Sequence, residues 1–358
     1  MKKILLVTNS LYEYRYSIYS DFINLFYEKG YEFKIVLIED NKSKTVQTKD
    51  NINFIKIHSG YKSLKNCLDK ENPEVVISFI IPSNKMLWYL FFYTINNKIF
   101  NITWTHGVNL QDPKNKIKGV MYKIIHVFSS AIILYSVNEK KYIAKEYLKK
   151  TFIANNTINF KNIPDIKESK ELIKKNHQID YKKTVLFVGR MQARKKIEVL
   201  IDIFKESRYN EFGLVIVGPG FDNHYSKLIE GQKNIQYLGA IYEDYKINSV
   251  FKSADLFCIP GTNGLGINQA MYWGLPCLAL NVKHSPEIVY LVNGETGYIL
   301  GTKNELSDKI YELLENDDLR NKMSLKAKNK IRKEASIEAM FEGFLNACNY
   351  VLKDVRPN

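Results

Sequence analysis

The sequence predicts an α/β protein with two domains, each built on a parallel β-sheet that is covered by helices. Apolar strand-like runs alternate with amphipathic helical segments throughout the chain, which is the pattern of repeated β-α-β units. With 358 residues, the chain is long for one core and suits two domains of ~100 to 200 residues each. We place the boundary, a polar linker suited to a hinge, between Asn156 and Lys183 and predict domains at 1–163 and 164–335, followed by a terminal amphipathic helix at 336–358.

The N-terminal domain begins with a strand, since the apolar run that starts at Ile4 is only about five residues long, too short for a signal peptide. The helix that follows carries its apolar residues on one face: Ile18, Phe22, Leu25 and Phe26. Arg15 lies at the entrance of this helix. Ligands of parallel α/β sheets bind beyond the carboxyl ends of the strands, so we predict that Arg15 meets an anionic substrate. A surface arginine is the alternative.

Two later segments of this domain are strongly apolar. The segment 86–95 is far shorter than the ~20 residues that cross a bilayer, and it predicts a buried helix. The segment 114–128 predicts a basic amphipathic helix, with lysines mostly off an apolar stripe formed by Ile117, Val120, Met121, Ile124, Ile125 and Phe128. Such a helix either lies in the headgroup layer of an anionic membrane or covers the sheet with its stripe. Both interpretations stay open.

The net charge of +14 raises the question of nucleic acid as a partner. The 24 tyrosines do not alternate with basic residues in the manner of base-stacking surfaces, so we exclude nucleic acid. The four cysteines, at 67, 258, 277 and 348, have no metal-type spacing. This usage is typical of a reducing compartment, and we expect the protein in the cytoplasm, with peripheral contact to the inner face of the cell membrane as an additional hypothesis.

The segment IPGTNGLGINQAMYWGLPCLAL, at 259–280, predicts a strand end, a glycine-spaced turn, a short helix and another strand. Glycines at 261, 264 and 266 let the backbone approach a ligand closely, and free N–H groups at the start of a helix attract an anion. The turn therefore fits a phosphate. The alternative is an ordinary strand-turn-helix-strand unit with glycines for tight packing.

The segment VLFVGRMQARKKIEVLIDIF, at 185–204, places a strand end at Gly189 and a cluster of cations before a helix. The cations are Arg190, Arg194, Lys195 and Lys196. A helix N-terminus already carries partial positive charge, so these side chains cost stability there unless an anion arrives. A diphosphate would satisfy both the helix and the cations. A solvated basic loop is the alternative.

Together these two segments resemble the nucleotide-binding half of GT-B glycosyltransferases, specifically the retaining enzymes of family 4. In that family a strand ends in Gly-Arg and a Lys follows the Arg by five residues, as Arg190 and Lys195 do here. The resemblance implies that both grip the donor diphosphate. The family also carries two Glu residues, and this chain has Gly261 and Gln269 in their places. Gln269 retains groups for the ribose hydroxyls, whereas Gly261 offers only backbone, which leaves the donor-sugar preference open.

The resemblance extends over most of the chain and implies further site residues. The turn at His106-Gly107 resembles a Trp-Gly-His-Gly turn of related bacterial enzymes, which implies that His106 hydrogen-bonds the donor sugar or the acceptor hydroxyl. His284 is a weaker candidate, and we interpret Glu287 as structural. Besides Arg190 and Lys195, the implied nucleotide-binding positions are Gly189, Gly218, Leu238, Gly261, Gly264, Leu265 and Gln269.

The implied fold has two Rossmann-like domains that face each other across a cleft, with the terminal helix crossing back to the first domain. The implied activity is sugar transfer, with retention, from a nucleotide diphosphate sugar to a hydroxyl of a glycan or lipid-linked glycan, in cell-surface polysaccharide or glycoconjugate biosynthesis. No cofactor or metal is expected, since cations serve the diphosphate and no Asp-x-Asp motif marks a metal bridge. Two alternatives stay open: a non-catalytic subunit, favoured by the missing Glu pair, and a sugar epimerase of the same fold, for which no convincing carboxylate pair is evident.

Overall fold

A computed structural model describes residues 1–9, 11, 13–39, 54–79, 83–110 and 112–353. The chain forms two compact units, Met1–Asn156 with Ile337–Asn358, and Thr157–Ser336. Residues 354–358 of the predicted terminal helix lie outside the described residues. The units divide after residues 156 and 336, whereas the sequence placed these divisions after residues 163 and 335.

The first unit contains a seven-stranded sheet. Its strands are β1 (Lys2–Thr8), β2 (Tyr31–Glu39), β3 (Phe54–His58), β4 (Val75–Ser78), β5 (Phe100–Thr105), β6 (Ala131–Leu134) and β7 (Thr151–Ile153). Its first four helices are α1 (Glu13–Glu28), α2 (Tyr61–Glu71), α3 (Lys85–Asn96) and α4 (Lys116–Phe128). Every strand pairs in parallel, in the order β3-β2-β1-β4-β5-β6-β7.

The second unit contains a six-stranded parallel sheet in the order β10-β9-β8-β11-β12-β13. Its strands are β8 (Lys183–Val188), β9 (Phe212–Val217), β10 (Ile235–Tyr237), β11 (Leu256–Cys258), β12 (Cys277–Leu280) and β13 (Gly297–Leu300). Its helices are α5 (Lys170–Asn176), α6 (Ile197–Phe204), α7 (Asn223–Ile229), α8 (Asp244–Ser253), α9 (Gly266–Tyr272), α10 (Lys303–Glu315) and α11 (Asp317–Glu334).

Both sheets have the strand order of a doubly wound Rossmann fold, which confirms the predicted class. The chain proceeds outward from β1 and from β8 in one direction, then returns to add β4 and β11 on the other side. Strands that are buried on both faces have continuous apolar sequences, and all six residues of β9 are buried. In such sheets the ligand crevice lies beyond the carboxyl ends of the strands where the order reverses. The two reversal points are therefore the first places to seek a site.

The terminal helix α12 (Ile337–Lys353) returns to the first unit and fills its core. Phe344 packs edge-on against Phe22, with ring centroids 5.1 Å apart, and against Trp104 at 5.0 Å. Gly343 lies so close to β7 that a Cβ there would be 2.2 Å from the carbonyl oxygen of Ile153. Fully burying one large apolar side chain contributes about 1.5 to 3 kcal/mol, so α12 is an integral part of this unit.

Helix α4 exposes the apolar stripe that the sequence shows. Its buried residues are Tyr122, Ile125 and His126, and Tyr122 and Ile125 pack with Phe91 of α3. The exposed apolar residues are Ile117 (77%), Val120 (56%), Ile124 (37%), Val127 (45%) and Phe128 (54%). The interpretation that this stripe covers the sheet is therefore wrong for most of its residues, because α4 contacts the unit through a narrower face. Within the described residues, no helix is both long and apolar enough to cross a bilayer.

Candidate active site

The candidate donor site lies at the carboxyl ends of β8 and β11, the reversal point of the second sheet. The glycine turn after β11 is hydrogen-bonded to the basic segment after β8: the N–H of Gly261 donates to the carbonyl of Lys195 at 2.9 Å, and the N–H of Thr262 to that of Arg194 at 2.8 Å. The two segments that the sequence singled out, at 185–204 and 259–280, thus form one continuous backbone surface at the place where α/β sheets bind ligands.

Lys195 supplies a buried cation at this surface. It is only 9% exposed, and its side chain passes over Gly189, where a Cβ would lie 3.7 Å from Cε of Lys195. Burial, and then the nearby charge of Arg194, lowers the pKa of Lys195 to about 8, although Glu287 opposes this shift. In the part of the chain that the structure describes, no carboxylate lies within 4.0 Å of its ammonium group. A buried ammonium without a counter-charge is costly unless an anion binds to it.

The backbone next to Lys195 is in an uncommon conformation. Residues Ala193–Lys195 form a single 3-10 turn, and Lys196 ends it with φ 53, in the left-handed region. Helix α6 then begins at Ile197. A lysine in this region costs of order 1 kcal/mol or more. The predicted basic cluster divides into a buried cation, Lys195, a half-buried one, Lys196, and two exposed ones, Arg190 and Arg194.

Arg190 is one of the exposed cations. Over the described ranges it takes part in no ion pair, so its guanidinium is available to a ligand. Arg194 differs, since its Nε donates to Oε1 of its neighbour Gln192 at 2.9 Å. The interpretation of a solvated basic loop fits Arg194 but does not account for Lys195.

Gly218 brings the end of β9 against the end of β8. Its φ is +140, and a Cβ there would lie 2.0 Å from the carbonyl oxygen of Gly189. The N–H of Gly218 donates to the carbonyl of Gly239 at 3.0 Å, while its own carbonyl accepts from the hydroxyl of Tyr237 at 2.9 Å. The N–H of Leu238, which lies between Tyr237 and Gly239, donates to the carbonyl of Ile216 at 2.9 Å. The predicted positions 189, 218 and 238 therefore lie side by side along this edge of the sheet.

Close packing around Gly261 leaves no room for the Glu of the family pattern. A Cβ at this position would lie 2.0 Å from the carbonyl oxygen of Arg194 and 2.6 Å from the carbonyl carbon of Lys195. No side chain fits here without moving the backbone that holds both cations. A glutamate at position 261 is thus incompatible with this arrangement of the turn.

The remaining predicted donor residues precede or belong to α9. Gly264 and Leu265 come directly before the helix, and a Cβ at Gly264 would meet no atom within 4 Å, so the turn is open at this point. Gln269 is half-buried on α9, and its Nε2 donates to Oδ1 of Asn248 at 3.0 Å. Asn248, on α8, is a contact that the sequence analysis missed, because no local pattern links α8 to α9.

His284 supports the glycine turn. Its Nε2 lies 2.8 Å from the carbonyl oxygen of Leu280 and must donate to it, which leaves Nδ1 to accept from the N–H of Asn263 at 3.3 Å. Burial, together with the charge of Lys195, lowers the pKa of His284. Both ring nitrogens are thus used to hold the turn. Glu287 is buried nearby, and the sequence analysis missed that its charge acts on Lys195.

The first unit has a cavity of about 230 Å³ at the reversal point of its own sheet, beyond β1 and β4. Aromatic rings form much of its wall. Its lining residues are Leu6, Val7, Thr8, Asn9, Tyr14, Arg15, Tyr19, Phe79, Trp104 and Tyr135.

Arg15 is the charged group of this cavity, and the interpretation of a surface arginine is wrong. It is 6% exposed, its Nη2 donates to Oδ1 of Asn156 at 2.5 Å, and its guanidinium lies 4.7 Å from the ring centroid of Trp104 and 5.1 Å from that of Tyr14. Across the described residues it forms no ion pair. Nε1 of Trp104 is also buried and has no hydrogen-bond partner there. The cavity thus presents a cation and aromatic faces without a counter-anion.

His106 adjoins the same cavity and is held by Glu139. Its Nδ1 lies 2.6 Å from Oε1 of Glu139, and its ring stacks on Tyr135 with centroids 4.4 Å apart. The other carboxylate oxygen accepts from the N–H groups of Tyr135 and Ser136 at 2.8 and 3.2 Å. Since a carboxylate only accepts, Nδ1 carries the proton and Nε2 remains for a ligand. The sequence analysis missed Glu139, although Ser136-x-x-Glu139 is a capping-box pattern.

The chain resembles known proteins in sequence and in fold. Residues 169–330 match the model of a family described as Glycosyl transferases group 1. An uncharacterized 41.2 kDa protein in the cps region of Klebsiella pneumoniae is 23% identical over 63% of this chain and 63% of its own length. Poly(ribitol-phosphate) alpha-N-acetylglucosaminyltransferase of Staphylococcus aureus is 27% identical over 47% of this chain and 35% of its own. The chain thus spans less than two thirds of the length of these two relatives.

Solved structures resemble the whole chain. A glycosyltransferase from Rickettsia africae has a TM-score of 0.79 at 17% identity, covering 99% of both chains. Anabaena HepE, in complex with UDP, has a TM-score of 0.78 at 14% identity, covering 98% of this chain and 100% of the other. The fold is that of GT-B glycosyltransferase structures, and the family match covers most of the second unit.

Proposed function

We propose that the protein transfers a sugar, with retention of configuration, from a nucleotide diphosphate sugar to a hydroxyl of a glycan or lipid-linked glycan. The buried ammonium of Lys195, which forms no ion pair within the described residues and lies at the reversal point of a Rossmann-like sheet, is the observation that carries this proposal. An anion is the ligand that such a group requires. The names of the relatives support the proposal, since one is a poly(ribitol-phosphate) N-acetylglucosaminyltransferase and a neighbouring structure contains UDP.

The chemical step requires charge stabilisation at the diphosphate. As the bond between the sugar and the diphosphate breaks, negative charge accumulates on the leaving diphosphate. Lys195 and Arg190 would stabilise this charge, together with backbone N–H groups at Gly264 and Leu265. Lys195 is already desolvated and fixed, so it needs no reorganisation during the reaction, and removing one such group typically costs ~10² to 10³ in rate.

The donor sugar itself would contact mainly backbone at position 261. The steric closure of this position excludes the carboxylate that the resemblance places there. We infer that the preference for the donor sugar arises from other groups around the turn, and that Gln269 binds the ribose.

The acceptor would bind on the first unit, in the cavity that Arg15 lines. The guanidinium of Arg15, which forms no ion pair among the described residues, suits an anionic group of the acceptor, and the faces of Trp104 and Tyr135 suit packing against a sugar ring. His106 lies beside this cavity, with Nε2 free to accept a proton from a hydroxyl of the acceptor or of the donor sugar. An acceptor of this kind is an anionic glycan or a lipid-linked glycan.

Helix α4 would bring the protein to an anionic membrane surface. Five of its apolar residues, Ile117, Val120, Ile124, Val127 and Phe128, are exposed and flanked by exposed lysines at 114, 116, 118 and 123. Each lysine near an anionic surface contributes about 1 kcal/mol. A lipid-linked acceptor in the inner leaflet would then lie close to the enzyme.

The function is tested with a panel of nucleotide diphosphate sugars, by thermal shift and by release of the nucleotide, with and without detergent-solubilised lipid-linked glycans. The proposal predicts stabilisation by one donor and acceptor-dependent nucleotide release, with the anomeric configuration of the product determined by NMR. Absence of any nucleotide binding would support the non-catalytic subunit. Conversion of the donor into an epimer without acceptor would support the epimerase.

A further inference from the structure

The orientation of the Gln269 side chain follows from two of its neighbours. Oδ1 of Asn248 lies 2.8 Å from Nε1 of Trp273 and 3.0 Å from Nε2 of Gln269. An indole N–H can only donate, so the Asn248 atom that faces Trp273 is the oxygen. The amide nitrogen of Asn248 supports the same assignment, since Nδ2 donates to the carbonyl of Asp244 at 2.8 Å. The amide of Asn248 is thus determined from both ends.

This arrangement decides which group Gln269 can offer. Asn248 is 3% exposed, so water does not compete for its oxygen. The Gln269 atom that faces this oxygen must be the NH2 group, and Oε1 of Gln269 therefore faces away. No donor to Oε1 is found within the described ranges. One N–H of the Gln269 amide is thus engaged by Asn248, and Oε1, the acceptor of this amide, is left for a ligand.

We propose that Asn248 and Trp273 are positioning residues that fix the amide of Gln269 so that its Oε1 accepts a hydrogen bond from the ribose of the bound nucleotide. This inference rests on the proposed function, because it takes Gln269 as the ribose contact. A carboxylate oxygen is an acceptor, so Oε1 of the fixed glutamine provides the same acceptor as the Glu that the resemblance places at this position. The ribose hydroxyl that meets Gln269 must then be a donor.

Nucleotides that lack the donor provide the test. We would measure by calorimetry the affinities of UDP and GDP, and of their 2′-deoxy, 2′-fluoro, 3′-deoxy and 3′-fluoro analogues. Fluorine replaces the hydroxyl in size but cannot donate. At the hydroxyl that Gln269 contacts, we expect the deoxy and the fluoro analogue to have the same affinity, about fivefold weaker than that of the parent nucleotide. Fluoro analogues that bind as tightly as the parent at both positions would overturn the proposal.

The variant Asn248→Leu tests the positioning role. It removes the acceptor that holds the NH2 group of Gln269, so the amide can turn, and the ratio of affinities between parent and fluoro analogue should fall to about twofold or less. Asn234→Leu is the matched control, since Asn234 is also a buried asparagine whose Nδ2 donates to a backbone carbonyl, that of Phe204. It should keep the wild-type ratio. A wild-type ratio in folded Asn248→Leu would contradict the proposal.

A second variant keeps the test decisive if Asn248→Leu does not fold. Gln269→Glu places a second acceptor oxygen against Oδ1 of Asn248, which cannot turn away. We expect it to melt at a lower temperature than wild type and to bind UDP or GDP more weakly, although it resembles the family more closely. Wild-type melting and tighter binding would show that Asn248 does not constrain position 269. If no nucleotide of the donor panel binds wild type while the fold is intact, the proposed function and this inference fail together. Binding without dependence on ribose hydroxyls overturns this inference alone.

Discussion

Nδ1 of His106 lies 2.6 Å from Oε1 of Glu139, and the carboxylate that holds this ring is itself held by two backbone N–H groups. The pair lies after β5 and β6, two adjacent strands of the first sheet. Because Glu139 accepts the Nδ1 proton, it selects the tautomer in which Nε2 is an acceptor. Glu139 is thus a positioning residue for His106.

Glu139→Gln should lower turnover by ~10²-fold, since the inserted NH2 group must face either His106 or the two backbone N–H groups and so disturbs the tautomer or the loop. Steady-state kinetics as a function of pH would show this as a fall in kcat with little change in donor KM. Asn138→Ala, on the exposed side of the same turn, serves as the control. Unchanged kcat and pH profile in Glu139→Gln would refute the positioning role.

Arg190→Ala should lose nearly all turnover while the fold remains, because the exposed, unpaired guanidinium is available to the leaving diphosphate. Arg194→Ala removes the same charge four residues away, from a side chain already hydrogen-bonded to Gln192, and should retain most activity. Rates are compared under saturating donor, with melting temperatures measured in parallel. Equal losses in the two variants would indicate a general charge effect rather than a specific contact.

Nucleotide binding should weaken as the pH rises through about 8, since Lys195 loses its proton there. If the bound diphosphate keeps Lys195 protonated, the Kd rises ~10-fold between pH 7 and pH 9. The lowered pKa of Lys195 also makes the stability of the folded state depend on pH, and here the effect has the opposite sign. Between about pH 8 and 10.5 the unfolded chain binds more protons at this lysine, so its unfavourable contribution to the folded state decreases as the pH rises.

Calorimetry across this pH range would measure the effect, and Lys195→Arg provides the comparison because arginine stays charged. The variant should show a flatter dependence on pH, whatever its affinity. A wild-type Kd that does not change between pH 7 and pH 9 would exclude Lys195 as the titrating contact.

Gly261→Ala should destabilise the protein although alanine is small. Its Cβ would lie 2.0 Å from the carbonyl oxygen of Arg194, so the turn and the basic segment must separate, which costs about 1 to 3 kcal/mol. Chemical denaturation would give the free energy of unfolding. Gly264→Ala is the control, because its Cβ meets no atom within 4 Å. Equal stability of the two variants would contradict the close backbone approach at position 261.

Membrane binding should depend on the exposed stripe of α4. Wild-type protein should float with vesicles that contain anionic phospholipid and remain unbound with neutral ones, and Val120→Asp combined with Phe128→Asp should weaken flotation ~10-fold or more. Leu325→Asp replaces an exposed leucine of the second unit and should leave flotation unchanged. Equal binding of both variants would exclude α4 as the contact.

Sequence alone determined the α/β class, the two parallel sheets and the two segments that meet at the donor site. These features depend on local patterns: apolar runs of strand length, helical spacing, and glycines and cations at strand ends. In parallel α/β sheets ligands bind beyond the carboxyl ends of the strands, so motifs at these ends are expected to lie near one another even before the tertiary structure is known.

Tertiary structure decided the state of each side chain. The sequence marks Arg15, Lys195 and Arg190 as basic residues near strand ends. In the structure the first is enclosed by aromatic rings, the second is buried and the third is exposed. Glu139 and Asn248 became visible only through contacts with residues 33 and 21 positions away. Burial and hydrogen-bond partners depend on elements distant in sequence, and local periodicity carries no information about them. For the same reason α4 could be predicted as amphipathic, whereas only the packed structure showed that its apolar stripe is exposed.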